Sequence, residues 1–152
     1  MKKGAELTTH YVPLEELRED RRKELKERFG FDCECACCDS GVRVPFSDAR
    51  RVHLKHLDGV IYDKASRGKH KAAILDVEER LRLLMDEMLD SPAAVARSCN
   101  DAAQAAAHAG DAKAQRTWLE RCREASKLCE LPGSAELDDL EGRLARLKVR
   151  GG

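Results

Sequence analysis

Four of the chain's seven cysteines fall between Cys33 and Cys38, directly after a charged run that ends in Phe29-Gly30-Phe31. No other stretch limits the fold so tightly. Cys33, Cys35 and Cys38 form C-x-C-x-x-C, and three thiolates this close can surround one tetrahedral zinc, whose preferred donors are sulfur and imidazole nitrogen. A structural zinc normally takes four protein ligands, so the triplet leaves one to be found. Cys37 is a poor fourth, because the short loop would have to turn every thiolate inward. The alternatives are disulfides and free buried thiols. Disulfides between such near neighbours are strained, and nothing in the sequence marks a secreted chain. The spacing predicts a metal and, by itself, no particular activity.

A chain of 152 residues can form one domain, or one domain with an appendage, around a real core. Lys+Arg and Asp+Glu both number 28, so the formal charge cancels. That balance argues against an obligate nucleic-acid or membrane-surface protein, since phosphates and anionic lipids would feel no net attraction. Charged residues are dense, at 37%, and alternate in sign, as on solvated helix faces. Aromatics make up only 4%, while alanine and leucine are plentiful, which favours helices over a β-sandwich. No apolar run is long enough to span a bilayer, and no signal-peptide core follows Met1. The expected location is therefore intracellular, nuclear or cytoplasmic.

The expected fold is mainly α: a short strand, a cysteine-rich zinc loop and then a helical bundle. Residues 3 to 12 carry Leu7, Thr9 and Tyr11 at period two, which predicts a short strand after a glycine turn. A lone strand needs a partner, and only Val42 to Phe46 offers one, so the chain reads as if it starts inside a sheet. Pro13 is placed to open a helix over 14–28, with acidic residues leading and Lys26 and Arg28 trailing, as the helix dipole prefers. Ser40-Gly41 and Pro45 read as loop. Ser47-Asp48 reads as an N-cap before a helix to about Leu57. Basic residues outnumber acidic ones from Arg43 to Lys71, but with Tyr62 alone interleaved this reads as a linker helix with a basic face. His53 and His56 lie three apart with no third ligand near, as surface histidines commonly do.

From Lys71 onward the pattern is helical. Ile74, Val77, Leu81, Leu84, Met85 and Met88 recur at three and four, predicting a long amphipathic helix to about Leu89 with these residues in the core. Ser91-Pro92 opens the next helix, to about Ala109. Gly110-Asp111 ends that one and caps another, to about Cys129. After Pro132-Gly133-Ser134, Leu137, Leu140, Leu144 and Leu147 mark the last. The alanines from Ala102 to Ala109, set against Ala114, Trp118, Cys122 and Ala125, predict two closely packed helices in the style of a tetratricopeptide hairpin. Cys99, Cys122 and Cys129 read as small buried apolar residues.

These pieces occur in an order that resembles one family. Lys3-Gly4-Ala5-Glu6-Leu7-Thr8-Thr9-His10-Tyr11 resembles the K-G-E-E-L-T-x-x-Y segment that closes the SET domain of protein lysine methyltransferases. Arg21-Arg22-x-x-Leu25-x-x-x-Phe29-Gly30-Phe31-x-Cys33-x-Cys35-x-x-Cys38 is similar to the segment joining that domain to its post-SET zinc site, in the version of the SET-and-MYND subclass and its fungal-type relatives. The motif-bearing resemblance covers residues 3 to 38; beyond that it is architectural, since those relatives continue into a helical, tetratricopeptide-like region. It divides the chain into the end of a SET domain (1–13), a linking helix with the post-SET cysteines (14–40), a linker and helix (41–70) and a helical domain (71–149).

The resemblance implies roles. Tyr11 falls on the active-site tyrosine whose hydroxyl borders methyl transfer. Phe29 and Phe31 fall on aromatics that wall the lysine channel and the adenine side of S-adenosylmethionine. Cys33, Cys35 and Cys38 fall on three zinc ligands. The chemistry is coherent: a lysine nitrogen attacks a sulfonium methyl only when uncharged, and a dry aromatic channel disfavours the ammonium form. The departures are equally plain. The 152 residues hold no glycine-rich cofactor segment and no Asn-His-x-x-x-x-Cys segment, Asn100 is the sole asparagine, and Ala5 replaces a usual glutamate. The expectation is therefore the C-terminal part of a SET-domain lysine methyltransferase, inactive by itself, with zinc bound and S-adenosylmethionine used only by the complete enzyme. Its partners would be a protein lysine substrate, or a protein held by the helical region. The alternative is a zinc-stapled helical interaction module without catalysis.

Overall fold

The computed structural model describes residues 10–35, 37–38 and 44–150, with the side chains of 46–147 in the last segment. The fold is mainly α. Among the described residues six helices follow in order: α1 (Arg18–Phe29), α2 (Val44–Ser66), α3 (His70–Asp86), α4 (Pro92–His108), α5 (Ala112–Ser126) and α6 (Ala135–Arg150). Two compact units divide at Val52 and His53. No helix among the described residues is long and apolar enough to cross a membrane.

In the first unit the expected strand is not seen. Residues 3–9, with Leu7 and Thr9, lie outside the described residues, while Tyr11 and Val12 form a bend rather than a strand. Val12 is buried along with Leu25 and Cys38, so this segment packs through an apolar side chain. Proline at 13 does not open α1. Residues 14 and 15 form a turn closed by Glu16 N on Pro13 O, and the helix begins at Arg18, whose amide donates to Asp48 Oδ1 at 3.0 Å. Of the expected pairing segment, residues 42 and 43 lie outside the described residues, and from Val44 the backbone is helical rather than extended. Pro45 fits a first turn, where its missing donor would have no intrahelical partner. Asp48 thus lies inside α2, and its side chain satisfies an orphan amide of α1 rather than capping its own helix.

The second unit is built around Leu54, Leu57 and Ile61 of α2, Val77, Leu81 and Leu84 of α3, Cys99, Ala102 and Ala103 of α4, Trp118, Leu119 and Cys122 of α5, and Leu140 and Leu144 of α6. The alanine-rich face of α4 is wholly enclosed, and α4 and α5 pack closely as the small residues predict. The anticipated caps at Ser91 and Asp111 form, and Ser134, read only as part of a chain break, caps the last helix. Ser91 Oγ accepts from Ala94 N at 3.3 Å, Asp111 Oδ1 from Ala114 N at 2.8 Å and Ser134 Oγ from Leu137 N at 3.4 Å.

Two core expectations fail here. Met85 and Met88 are exposed, because α3 stops at Asp86 and the chain turns through a left-handed Met88 (φ 55°) before Leu89 returns to the core. Cys129 is also exposed, whereas Cys99 and Cys122 are buried as expected. A buried polar group bridges helices in this core: Arg80 holds Asp58 Oδ1 at 2.8 Å and donates to Ser98 Oγ, which in turn donates to Ala94 O at 2.9 Å. A single guanidinium thereby links α2, α3 and α4.

Candidate metal centre

The loop after α1 is shaped by its backbone. Gly30 takes a left-handed conformation (φ 75°), and its amide donates to Lys26 O at 3.1 Å, closing the helix and turning the chain. A few residues on, Cys38 N donates to Cys35 O at 2.8 Å, a tight turn that folds the end of C-x-C-x-x-C back on its beginning. The result is convergence: the sulfurs of Cys33, Cys35 and Cys38 all lie within 4.8 Å of one another, the only such group of metal-capable side chains among the described residues. Cys37 is exposed and does not join them. Nor do His53 and His56; His53 Nδ1 instead lies 3.9 Å from the Glu79 carboxylate.

The three sulfurs fit zinc. Zinc–sulfur bonds of about 2.3 Å in a tetrahedron place sulfurs roughly 3.8 Å apart, so a small inward movement would bring all three into range. All seven cysteines are free thiols. Cys38 is buried and Cys33 half-buried, while Cys35 opens to solvent, so the group has an inner and an outer side. The thiols share protons unequally. Burial pushes Cys38 up to about 11, reinforced by Cys35 and opposed by Arg21. Burial also acts against ionisation at Cys35, but hydrogen bonds from the Cys33 thiol and the Cys37 amide outweigh it and hold Cys35 below the ordinary thiol range.

Tyr11, Phe29 and Phe31 come together. The Tyr11 ring lies 5.1 Å from that of Phe29 and 6.1 Å, edge-on, from that of Phe31, within the range of favourable aromatic contacts. All three remain exposed, at 59%, 42% and 39%. They therefore form one open aromatic wall, with Arg28 stacked 5.5 Å over Phe29.

Sequence reasoning quoted Arg21 and Arg22 only as part of the motif and gave no arginine a role. Arg21 is only 2% exposed, yet Leu25 is the sole apolar residue of its helix that is buried. Its Nη1 donates to Glu16 O and its Nη2 to Cys37 O at 2.8 Å. Arg18 Nε donates to Cys38 O at 2.7 Å, and Arg22 Nη1 reaches the same oxygen at 3.4 Å. The available signal was positional: 18, 21 and 22 stand at i, i+3 and i+4, on one helix face. In the helical unit, separately, a cleft of about 570 Å³ opens among Asp58, Tyr62, His70, Asp101, Gln104 and His108, with the His70 and His108 rings stacked at 5.4 Å.

No family model matches the chain. A stretch of 40 residues, 26% of the chain, is 42% identical to the mouse (Mus musculus) protein named histone-lysine N-methyltransferase Smyd1. That stretch spans 8% of the mouse protein's length. The chain therefore carries a short, partial similarity to a lysine methyltransferase, together with a three-cysteine cluster suited to zinc.

Proposed function

We propose that this chain carries the zinc-binding, C-terminal part of a SET-type protein-lysine methyltransferase. The observation that carries the reading is the juxtaposition, in one small unit, of three convergent sulfurs with the ring group Tyr11, Phe29 and Phe31. The order of those residues along the chain, and the short likeness to a lysine methyltransferase, support it. Cys33, Cys35 and Cys38 would hold zinc. S-adenosylmethionine, when bound by the complete enzyme, supplies an activated methyl group. The Tyr11 hydroxyl would orient a neutral amine and accept weak C–H hydrogen bonds from a polarised methyl. Phe29 and Phe31 would exclude water from that amine and so disfavour its charged form.

The exposure of the same rings decides what 152 residues can do alone. A wall open to solvent neither strips water from an ammonium group nor aligns a nucleophile with a sulfonium, and most of the catalysis in such a transfer is alignment. The isolated chain is therefore expected to bind about one zinc and to transfer no methyl groups. Elemental analysis of purified protein and an assay with labelled S-adenosylmethionine on histone substrates test the two halves separately. A folded, zinc-free protein overturns the assignment of the cysteines. Robust turnover by the isolated chain overturns the claim that its site is incomplete. A second reading, a zinc-stapled interaction module, draws on the cleft lined by Asp58, Tyr62 and the stacked histidines; a partner held there would bind equally well when Tyr11 is replaced by Phe.

A further inference from the structure

Arg21 poses a problem of charge. A guanidinium that is 2% exposed must find compensation inside the protein, or its burial is costly. Its described partners are the carbonyls of Glu16 and Cys37 and, 4.0 Å from Nη2, the sulfur of Cys38. Carbonyl dipoles satisfy the donors but do not cancel a full charge. Three thiolates around a divalent cation carry a net charge of minus one, and the nearest of those sulfurs is the one Arg21 already approaches. The neighbouring arginines act on the same loop, since Arg18 and Arg22 both donate to the Cys38 carbonyl. Three guanidinium groups from one helix face thus grip the two residues that close the sulfur cradle.

We propose that Arg18, Arg21 and Arg22 form a guanidinium clamp on the metal centre, with Arg21 as its positioning residue: it neutralises the three-thiolate site and fixes the direction of the Cys38 sulfur. The proposal rests on the reading of Cys33, Cys35 and Cys38 as metal ligands. Its physical content is that of an outer hydrogen-bonding shell, whose removal weakens metal binding without removing a ligand, typically 10- to 100-fold. Arginine suits the role better than lysine because its planar fork can hold a carbonyl and a sulfur at once, whereas an ammonium supplies charge without that geometry.

Cobalt(II) serves as the probe, since its visible bands and sulfur-to-metal charge transfer report the ligand set directly. The full chain, Arg21→Met and Arg21→Lys are titrated with cobalt against a chelator of known affinity, with far-UV circular dichroism as the control for folding. The parent is expected to take up one cobalt with thiolate charge transfer. Arg21→Met should bind roughly 10- to 100-fold more weakly with displaced charge-transfer bands, and Arg21→Lys should fall between them. Should Arg21→Met fail to fold, Arg18→Met, which loses one donor to the Cys38 carbonyl, is expected to weaken binding several-fold in a folded protein. Equal affinity and identical bands in the parent, in Arg21→Lys and in whichever methionine variants fold would overturn the clamp while leaving the metal centre standing. A parent that takes up no cobalt would overturn both.

Discussion

Two opposing effects meet at the carboxyl of Asp101 in the helical unit. Burial raises its pKa, while the Arg80 and Arg97 guanidinium groups pull it down and Asp58 adds repulsion; the net direction is upward from 3.8. In the unfolded chain the same group titrates near the ordinary value, so as pH rises the unfolded state releases its proton first. The stability contributed by Asp101 is therefore fully present below about 3.8, is lost as pH climbs through the higher folded value, and stays lost at neutrality. Asp101→Asn is expected to be more stable than the parent at pH 7, with the difference vanishing near pH 3. Chemical denaturation at the two pH values measures it, and a variant less stable at pH 7 would mean that the arginines outweigh the desolvation. Nothing in the sequence distinguished this aspartate from the other acidic residues. The cysteines, by contrast, were partly legible: Cys99, fully buried with its thiol pushed up to about 11, behaves as the small apolar residue its helical spacing implied. Exposed Cys129 does not, because α5 stops before reaching it.

Helix ends show most clearly what a sequence reveals. Ser91 and Asp111 were readable as caps because each bonds an amide three residues away, a purely local event; Ser134 does the same but was read only as part of a chain break. The starts of α1 and α2 were not readable in this way, because the first amide of α1 is satisfied by Asp48, thirty residues distant. A different case is the end of α3. In α2 and α4 the chain leaves the helix through a left-handed glycine, with Lys69 N bonded to Lys64 O and Asp111 N to Ala106 O, the six-to-one closure of a Schellman turn. The same pair of bonds closes α3, Leu89 N to Leu84 O and Met88 N to Met85 O, but the left-handed position is occupied by Met88. The geometry follows from Leu84 and Leu89, both buried, which clasp the turn and override the preference of methionine for negative φ. A left-handed side-chain-bearing residue costs on the order of 1 kcal/mol relative to glycine. Met88 is 79% exposed, so little packing is lost on its removal. Met88→Gly is thus expected to stabilise the helical unit by about 1 kcal/mol, and Met88→Ile to destabilise it, as read from urea midpoints at constant slope. A glycine variant no more stable than the parent would show that Met88 packs or relaxes in a way its exposure hides.

At the level of the whole molecule, two units of unlike construction share one chain, and they should answer differently to the loss of metal. The helical unit closes its core with its own residues, from Leu54 to Leu144, and buries Val77, Cys99, Ala102 and Leu119 completely. Among its described residues, the unit ending at Val52 buries Val12, Leu25 and Cys38 as apolar side chains, a small core on which to order a cysteine loop by hydrophobic burial. In small cysteine-rich domains bound zinc supplies much of the folding free energy. Arginine bonds to the Cys37 and Cys38 carbonyls orient that loop, but they trade against water and, coming from a charged donor, contribute about 1.5–3 kcal/mol each. Removing metal with a strong chelator is therefore expected to open the smaller unit and leave the larger one folded. Hydrogen exchange read by mass spectrometry separates the cases: protection should fall over residues 18–38 and persist across α3, α4 and α5. Equal loss along the entire chain would mean that the two units melt as one and that the metal stabilises the whole protein. No loss anywhere would mean that the cysteine loop holds its shape without a metal, and the case for zinc at Cys33, Cys35 and Cys38 would fall with it.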